Sequence, residues 1–186
     1  MSTANPASSA RPEPARARTG DARTGPREAR GVRSWLVLAG LLLLNVLVAG
    51  GGSIASSSGV DGWYADAAKP SWVPPNWVFA PVWTVLYVMM AVAAWLIWRR
   101  HGFRAARTAL VLYGVQLALN AAWTPVFFGA EQLGWGLVVI LLLEVALVAT
   151  IVAFHHLTPG VAWLLGPYLA WALYATTLNA GVAALA

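Results

Sequence analysis

Polarity along this chain is organised in long blocks. Five apolar runs, over residues 35–55, 77–98, 109–128, 133–154 and 157–186, are separated by short polar connections, and an arginine-rich polar segment precedes them. Each run reaches the roughly 20 apolar residues that a helix needs to cross a bilayer. Four carry no formal charge, and the run over 133–154 carries one, Glu144. None shows the period-two alternation of barrel strands. Backbone groups in hydrocarbon must pair internally, which leaves helices as the spanning element. The pattern predicts an all-α membrane protein, a bundle of five transmembrane helices with a Trp/Pro-rich first loop, over residues 34–186.

A second period runs inside these blocks. Trp83, Tyr87 and Met90 share one face of the second span, spaced i, i+4, i+7. Tyr113, Gln116, Asn120, Trp123 and Phe127 form a stripe on the third, and Tyr168, Trp171, Ala175 and Leu178 one on the fifth. An amide is costly against lipid, so Gln116 and Asn120 should point into the bundle. Rings from three helices, two amides and a small residue, Ala175, suit an apolar pocket with few polar groups. Interhelix packing with the amides bonded to one another explains the same stripes. Gly114, Ala118 and Ala122 recur at every fourth position of the third span, a row that lets helices approach closely, within the chain or in a homodimer.

The first loop is unlike the others. "WYADAAKPSWVPPNWVFAPVW", residues 63–83, holds four tryptophans, a tyrosine and four prolines. The prolines at 70, 74, 75 and 81 prevent one continuous helix. Trp63, Trp72 and Trp77 fit an aromatic belt at the headgroups. Their clustering also fits a stiff cover, which with Tyr64, Pro70, Pro74 and Pro75 would close a pocket between the spans.

Composition and charge sharpen this reading. The chain is 59% hydrophobic and 10% charged, whereas soluble domains carry about a quarter charged residues. No cysteine is present, which excludes disulfides, thiolate metal sites and a cysteine nucleophile. Residues 1–33 carry seven arginines against Glu13, Asp21 and Glu28. Poor in large apolar residues, they are expected to be a disordered basic tail. A targeting peptide fits less well, given the acids, Pro and Gly. Contact with anionic headgroups suits the tail, and nucleic-acid binding does not, since no aromatics are interleaved. Four arginines return in the second connection, Arg99, Arg100, Arg104 and Arg107, whereas the first holds Asp61, Asp66 and Lys69 and the third only Glu131. By the positive-inside rule the N-terminus is cytoplasmic, and the C-terminus and Trp/Pro loop lie outside a bacterial-type cell membrane. No internal repeat is visible, which argues against an inverted-repeat transporter.

Chemistry-bearing motifs are sparse. No CxxCH, HExxH, Walker or GxSxG pattern occurs. No metal site is expected, and His155 and His156 read as interfacial. A carboxylate within a span is functional or internally paired by default, but no second acid, lysine or arginine lies within the spans to form a relay with Glu144.

The stretches "WYADAAKPSWVPPNWVFAPVWTVLYVMM", "LYGVQLALNAAWTPVFFG" and "PYLAWALYATTLNA" resemble the tryptophan-rich sensory protein/translocator protein family, also called peripheral-type benzodiazepine receptors. The resemblance covers roughly residues 35–186. It implies a five-helix bundle, usually a homodimer, that binds porphyrins and other flat lipophiles beneath the first loop and has no intrinsic cofactor. Trp83 and Trp171 fall on the two tryptophans linked in that family to light-dependent porphyrin breakdown, and Asn120, Trp123 and Ala175 on pocket-lining positions. Two departures stand out. The sterol-recognition stretch of mammalian members, with a tyrosine and then an arginine after "ATTLN", has no counterpart in "ATTLNAGVAALA". Many members carry an acid at the position of Val139, whereas Glu144 lies about 140° away around the helix. The expected function is a membrane receptor or sensor for porphyrins such as haem and protoporphyrin IX, regulating tetrapyrrole level or translocation. The alternatives are a light-dependent porphyrin-degrading activity using Trp83 and Trp171, and a passive translocator.

Overall fold

A computed structural model describes residues 26–60 and 62–186. α1, Pro26–Val60, leads into the short α2, Trp63–Asp66, in the first loop. A 3₁₀ turn at Asn76–Val78 starts the second span, α3, Phe79–Ala105. α3 breaks at Gly102, whose φ of 73° favours glycine, and the chain turns back into α4, Arg107–Thr124. A π-helical turn, Pro125–Gly129, ends the third span, and α5, Leu133–Leu157, forms the fourth. The fifth run is not one regular helix: α6, Pro159–Ala162, and a 3₁₀ turn, Trp163–Leu165, precede α7, Gly166–Leu185.

Five helical segments of 23–30 residues are long and apolar enough to cross a membrane, more than the roughly 20 residues required. The expected five-helix membrane fold is the observed one. The boundary of the polar tail differs. Residues 26–33, expected in the tail, begin α1, where Pro26 is tolerated because a first-turn N–H has no helical partner. The rest of the expected tail, residues 1–25, lies outside the described residues.

Successive spans run antiparallel. α1 packs mainly on α3 and the π turn, α4 on α5, and α5 on α7. α3 meets the fifth span mainly at Trp163–Leu165 rather than along α7. The packed centre is built from Met90, Ala94 and Ile97 of α3, Leu143, Leu147 and Phe154 of α5, and Leu165, Tyr168 and Ala172 of the fifth span. Val85, Val111, Leu142, Val145 and Val152 face outward, as lipid contact requires of a bundle in a bilayer. α1 is peripheral but pinned: buried Asn45 donates to the Leu41 carbonyl at 2.8 Å and to the Tyr113 hydroxyl at 2.7 Å. In hydrocarbon such an interhelical hydrogen bond contributes about 0.6–2 kcal/mol.

Candidate functional site

Near the first loop the spans diverge around a cavity of about 380 Å³, within the roughly 300–1,000 Å³ typical of ligand pockets. One wall is aromatic: Phe79, Trp83 and Tyr87 of α3, Trp123 of α4 and Trp171 of α7. The facing wall is α1, whose Ala49, Gly52, Ser53, Ser56, Ser57 and Val60 present one helical face of small side chains. Tyr64 and Phe128 close the loop end, and Ala175 leaves room at α7. No charged side chain is among the described residues that line the cavity. The Ser57 and Thr84 hydroxyls donate back to the Ile54 and Ala80 carbonyls, each at 2.8 Å. Their oxygens remain able to accept from a ligand. The site can sandwich a flat apolar body between rings and small residues, with hydroxyls along its edge.

Of the residues expected to bind ligand, Trp83, Tyr87, Trp123, Trp171 and Ala175 line this cavity, whereas Gln116, Asn120, Phe127 and Leu178 do not. The two amides lie one layer behind the wall. Tyr87 donates to Asn120 Oδ1 at 2.6 Å, and Asn120 Nδ2 donates to the Tyr168 hydroxyl at 2.8 Å. Gln116, fully buried, directs its amide N–H at Met90 Sδ, 3.9 Å away. Phe127 is stacked behind Trp123, with ring centroids 5.4 Å apart, and Leu178 is buried in the bundle. Phe128 takes the place expected of Phe127. The π turn that opens with Pro125 is wider than an α turn, so it carries residue 128 back toward the face of Trp123.

The first loop divides into two parts. Its first half covers the cavity. Trp63 Nε1 donates to the Phe128 carbonyl at 2.9 Å, Tyr64 is buried, and buried Pro70 sits directly against Gly181 of α7. Burial raises the Tyr64 hydroxyl pKa above its ordinary value, and neighbouring Tyr174 adds to the shift. Lys69 Nζ lies 4.8 Å from the Tyr64 ring centroid. The second half turns outward. Trp72 and Trp77 are 54% and 74% exposed, so these two rings do not cover the cavity. Pro74 lines an outer groove, and Pro75 is exposed at the start of the 3₁₀ turn. The strand of loop between the halves is held by Tyr174, whose hydroxyl donates to the Trp72 carbonyl at 2.7 Å.

The outer groove, about 800 Å³ and open to the bilayer side, runs between α3 and α7. Val82, Val85, Leu86, Met89, Ala170 and Trp171 are among its lining residues. Trp171 therefore lines both spaces.

Several site residues were not singled out from the sequence. Phe79 and the α1 face are among them, although 49, 52, 53, 56, 57 and 60 follow helical spacing and could have been read as one small-residue stripe. Asn179 is another: it accepts from Trp123 Nε1 at 3.4 Å and donates to the Leu133 carbonyl at 3.0 Å. Glu144 is half-buried and accepts from Thr176 Oγ1 of α7 at 2.6 Å. Gly114, Ala118 and Ala122 are exposed on α4, so the close contact they permit is not made within the chain.

The TspO/MBR family model matches residues 40–185. A human translocator protein is 51% identical over 119 residues, covering 63% of this chain and 70% of its own length. The pig translocator protein is 45% identical over 151 residues, 78% of this chain and 87% of its own. A tryptophan-rich sensory protein from Cereibacter sphaeroides is 42% identical over 119 residues, 64% of this chain and 73% of its own. The matched region takes in every element that walls the cavity, and with five apolar spans and this agreement along most of its length, the chain belongs to the TspO/MBR family of multi-pass integral membrane proteins.

Proposed function

We propose that this protein is a membrane receptor or sensor whose cavity binds porphyrins and similar flat lipophiles, and so regulates tetrapyrrole level or translocation. One observation carries the reading: Trp83, Trp123 and Trp171 converge from three helices on one uncharged space, opposite a wall of small residues. Flat rings bind such a wall by offset stacking, each pair contributing about 0.5–1.5 kcal/mol beyond area burial. The names that two relatives carry, translocator protein and tryptophan-rich sensory protein, accord with it. The topology belongs to the same proposal: N-terminus cytoplasmic, loop and C-terminus outside. So does a homodimer through the exposed Gly114–Ala118–Ala122 row.

The test is a titration of the purified protein with protoporphyrin IX, read by quenching of tryptophan fluorescence. Quenching should saturate, and Trp171→Ala should weaken binding roughly tenfold, about 1.4 kcal/mol. Unsaturable quenching, or quenching indifferent to every cavity substitution, refutes the reading.

A second reading, light-dependent porphyrin breakdown with dioxygen as oxidant, is favoured by one feature. Trp83 and Trp171 line the same cavity, and each has a tyrosine ring centroid 5.5 Å away, Tyr87 and Tyr174 respectively. Illuminated porphyrin should then lose absorbance in the wild type and not in Trp83→Phe or Trp171→Phe. Equal rates in all three remove this reading and leave binding untouched.

A further inference from the structure

We propose that lipophilic ligands reach the cavity sideways from the bilayer, through the groove between α3 and α7, and that Phe79 and Trp171 form its door. This rests on the reading of the cavity as the ligand site. Trp171 is the wall shared by groove and cavity. Phe79 meets it edge to face, with centroids 5.8 Å apart. Both rings are only half-buried.

Three observations make this side the one that opens. First, the water side is fastened. The Trp63–Phe128 and Tyr174–Trp72 hydrogen bonds, the burial of Tyr64 and the seating of Pro70 on Gly181 hold the loop down at four places. Second, α3 and α7 are poorly joined beside the groove, because α3 meets the fifth span mainly at Trp163–Leu165. Third, the door rings lack the restraint given to others. The indoles of Trp63, Trp95 and Trp123 each donate an N–H hydrogen bond, to Phe128, Ser34 and Asn179. Among the described residues no such bond holds Trp171.

The sizes point the same way. A cavity of about 380 Å³ sits near the lower end of the ligand-pocket range, whereas the outer groove adds about 800 Å³. Swinging Trp171 aside joins the two, so a ligand larger than the closed cavity is accommodated during passage. The apolar lining suits a molecule already partitioned into lipid, and it excludes charged solutes.

The experiment measures protoporphyrin IX binding rates by porphyrin fluorescence in stopped flow, with the full chain in lipid nanodiscs. Ala170→Phe narrows the groove at an exposed position outside the cavity. Association and dissociation should both slow, about tenfold, with Kd unchanged within about twofold. Because the chain has no cysteine, the double variant Pro70→Cys/Gly181→Cys can lock the loop to α7. Oxidised, it should leave both rates as they are. Rates that fall on locking the loop but not with Ala170→Phe overturn the door, as do rates that ignore Ala170→Phe while the wild type binds saturably. A wild type without saturable binding removes the ligand-site reading and the door with it. Val85→Phe, at a second groove position, repeats the test if Ala170→Phe does not fold.

Discussion

Gly59→Ala tests whether the closure of the cavity depends on close approach between α1 and the π turn. Gly59 is buried in the last turn of α1, directly against the Phe128 carbonyl. A Cβ at this position would overlap that carbonyl and meet the Phe128 Cβ at 3.1 Å. The same oxygen accepts the Trp63 indole N–H at 2.9 Å. A carbonyl within a helical turn cannot swing aside as a side chain can, so α1 is overpacked against the turn and the Trp63 bond to that carbonyl is lost. Overpacking costs about 1–3 kcal/mol, and losing the bond about 0.5–1.5 kcal/mol. Alanine's better helix propensity offsets about 1 kcal/mol of this. The net loss is then roughly 2 kcal/mol, which for a chain of this size lowers the melting midpoint by about 4–8 °C. Gly50 and Gly51 are the controls. Exposed on the same helix with nothing within 4 Å of an added Cβ, their alanine variants should melt at or slightly above the wild type. Thermal unfolding in detergent, followed by circular dichroism, reads all three. If Gly59→Ala melts with Gly50→Ala, the close approach is not what holds the loop end together.

Other consequences concern charge and the unexplained acid. Thr176 already has a second acceptor, the Ala172 carbonyl at 3.1 Å, so Glu144→Leu leaves no orphaned hydroxyl. Its melting midpoint should equal or exceed that of the wild type, and a fall of more than about 5 °C would show that the carboxyl has a further structural partner. With no charge on the described cavity lining, protoporphyrin IX dimethyl ester should bind at least as tightly as the dicarboxylic acid, measured by the same fluorescence titration. A strong preference for the acid would place a cation, with Lys69 the nearest to Tyr64, in contact with the ligand. Burial raises the Tyr64 hydroxyl pKa above the ordinary tyrosine value of 10.0. The hydroxyl is neutral in folded and unfolded chains below that value, so its contribution is fully present there and is lost as pH rises through the higher folded value. The midpoint should be level from about pH 6 to 9 and fall only in more alkaline buffer, and Tyr64→Phe should reduce that fall.

The spans were legible because membrane insertion constrains length and polarity so strongly; a run such as 133–154 has no other stable use. The site was legible in part. The argument that amides avoid lipid put Gln116 and Asn120 inside, which is where they lie. It could not distinguish the wall of a cavity from the layer behind it, since both are shielded from lipid. Phe127 was placed by extending a period of 3.6 through Pro125, where the backbone widens into a π turn. That register change depends on how the turn packs on α1, a tertiary fact. Trp72 and Trp77 show the limit of reading a loop by composition. Proline stiffness says that a loop holds its shape but not which way its rings point. The α1 wall carries no large ring to mark it in the sequence, although a cavity is defined as much by the small residues that do not fill it.

The layer behind the wall also explains why the cavity has one fixed side and one adjustable side. Tyr87 is oriented by Asn120, which is itself held by Tyr168. Trp123 is oriented by Asn179, anchored in turn on the Leu133 carbonyl. In a water-excluded bundle these bonds have no solvent competitor, so the rings they hold keep one orientation. Phe79 and Trp171 stand at the groove edge of the same aromatic wall, where α3 and α7 diverge and no hydrogen bond among the described residues holds either ring. A ring held only by dispersion contacts can turn at small cost, because its old and new neighbours are alike. Uneven polar support therefore gives the protein a preformed stacking surface and a movable boundary within one cavity. Replacing Asn120 should loosen the first without touching the second.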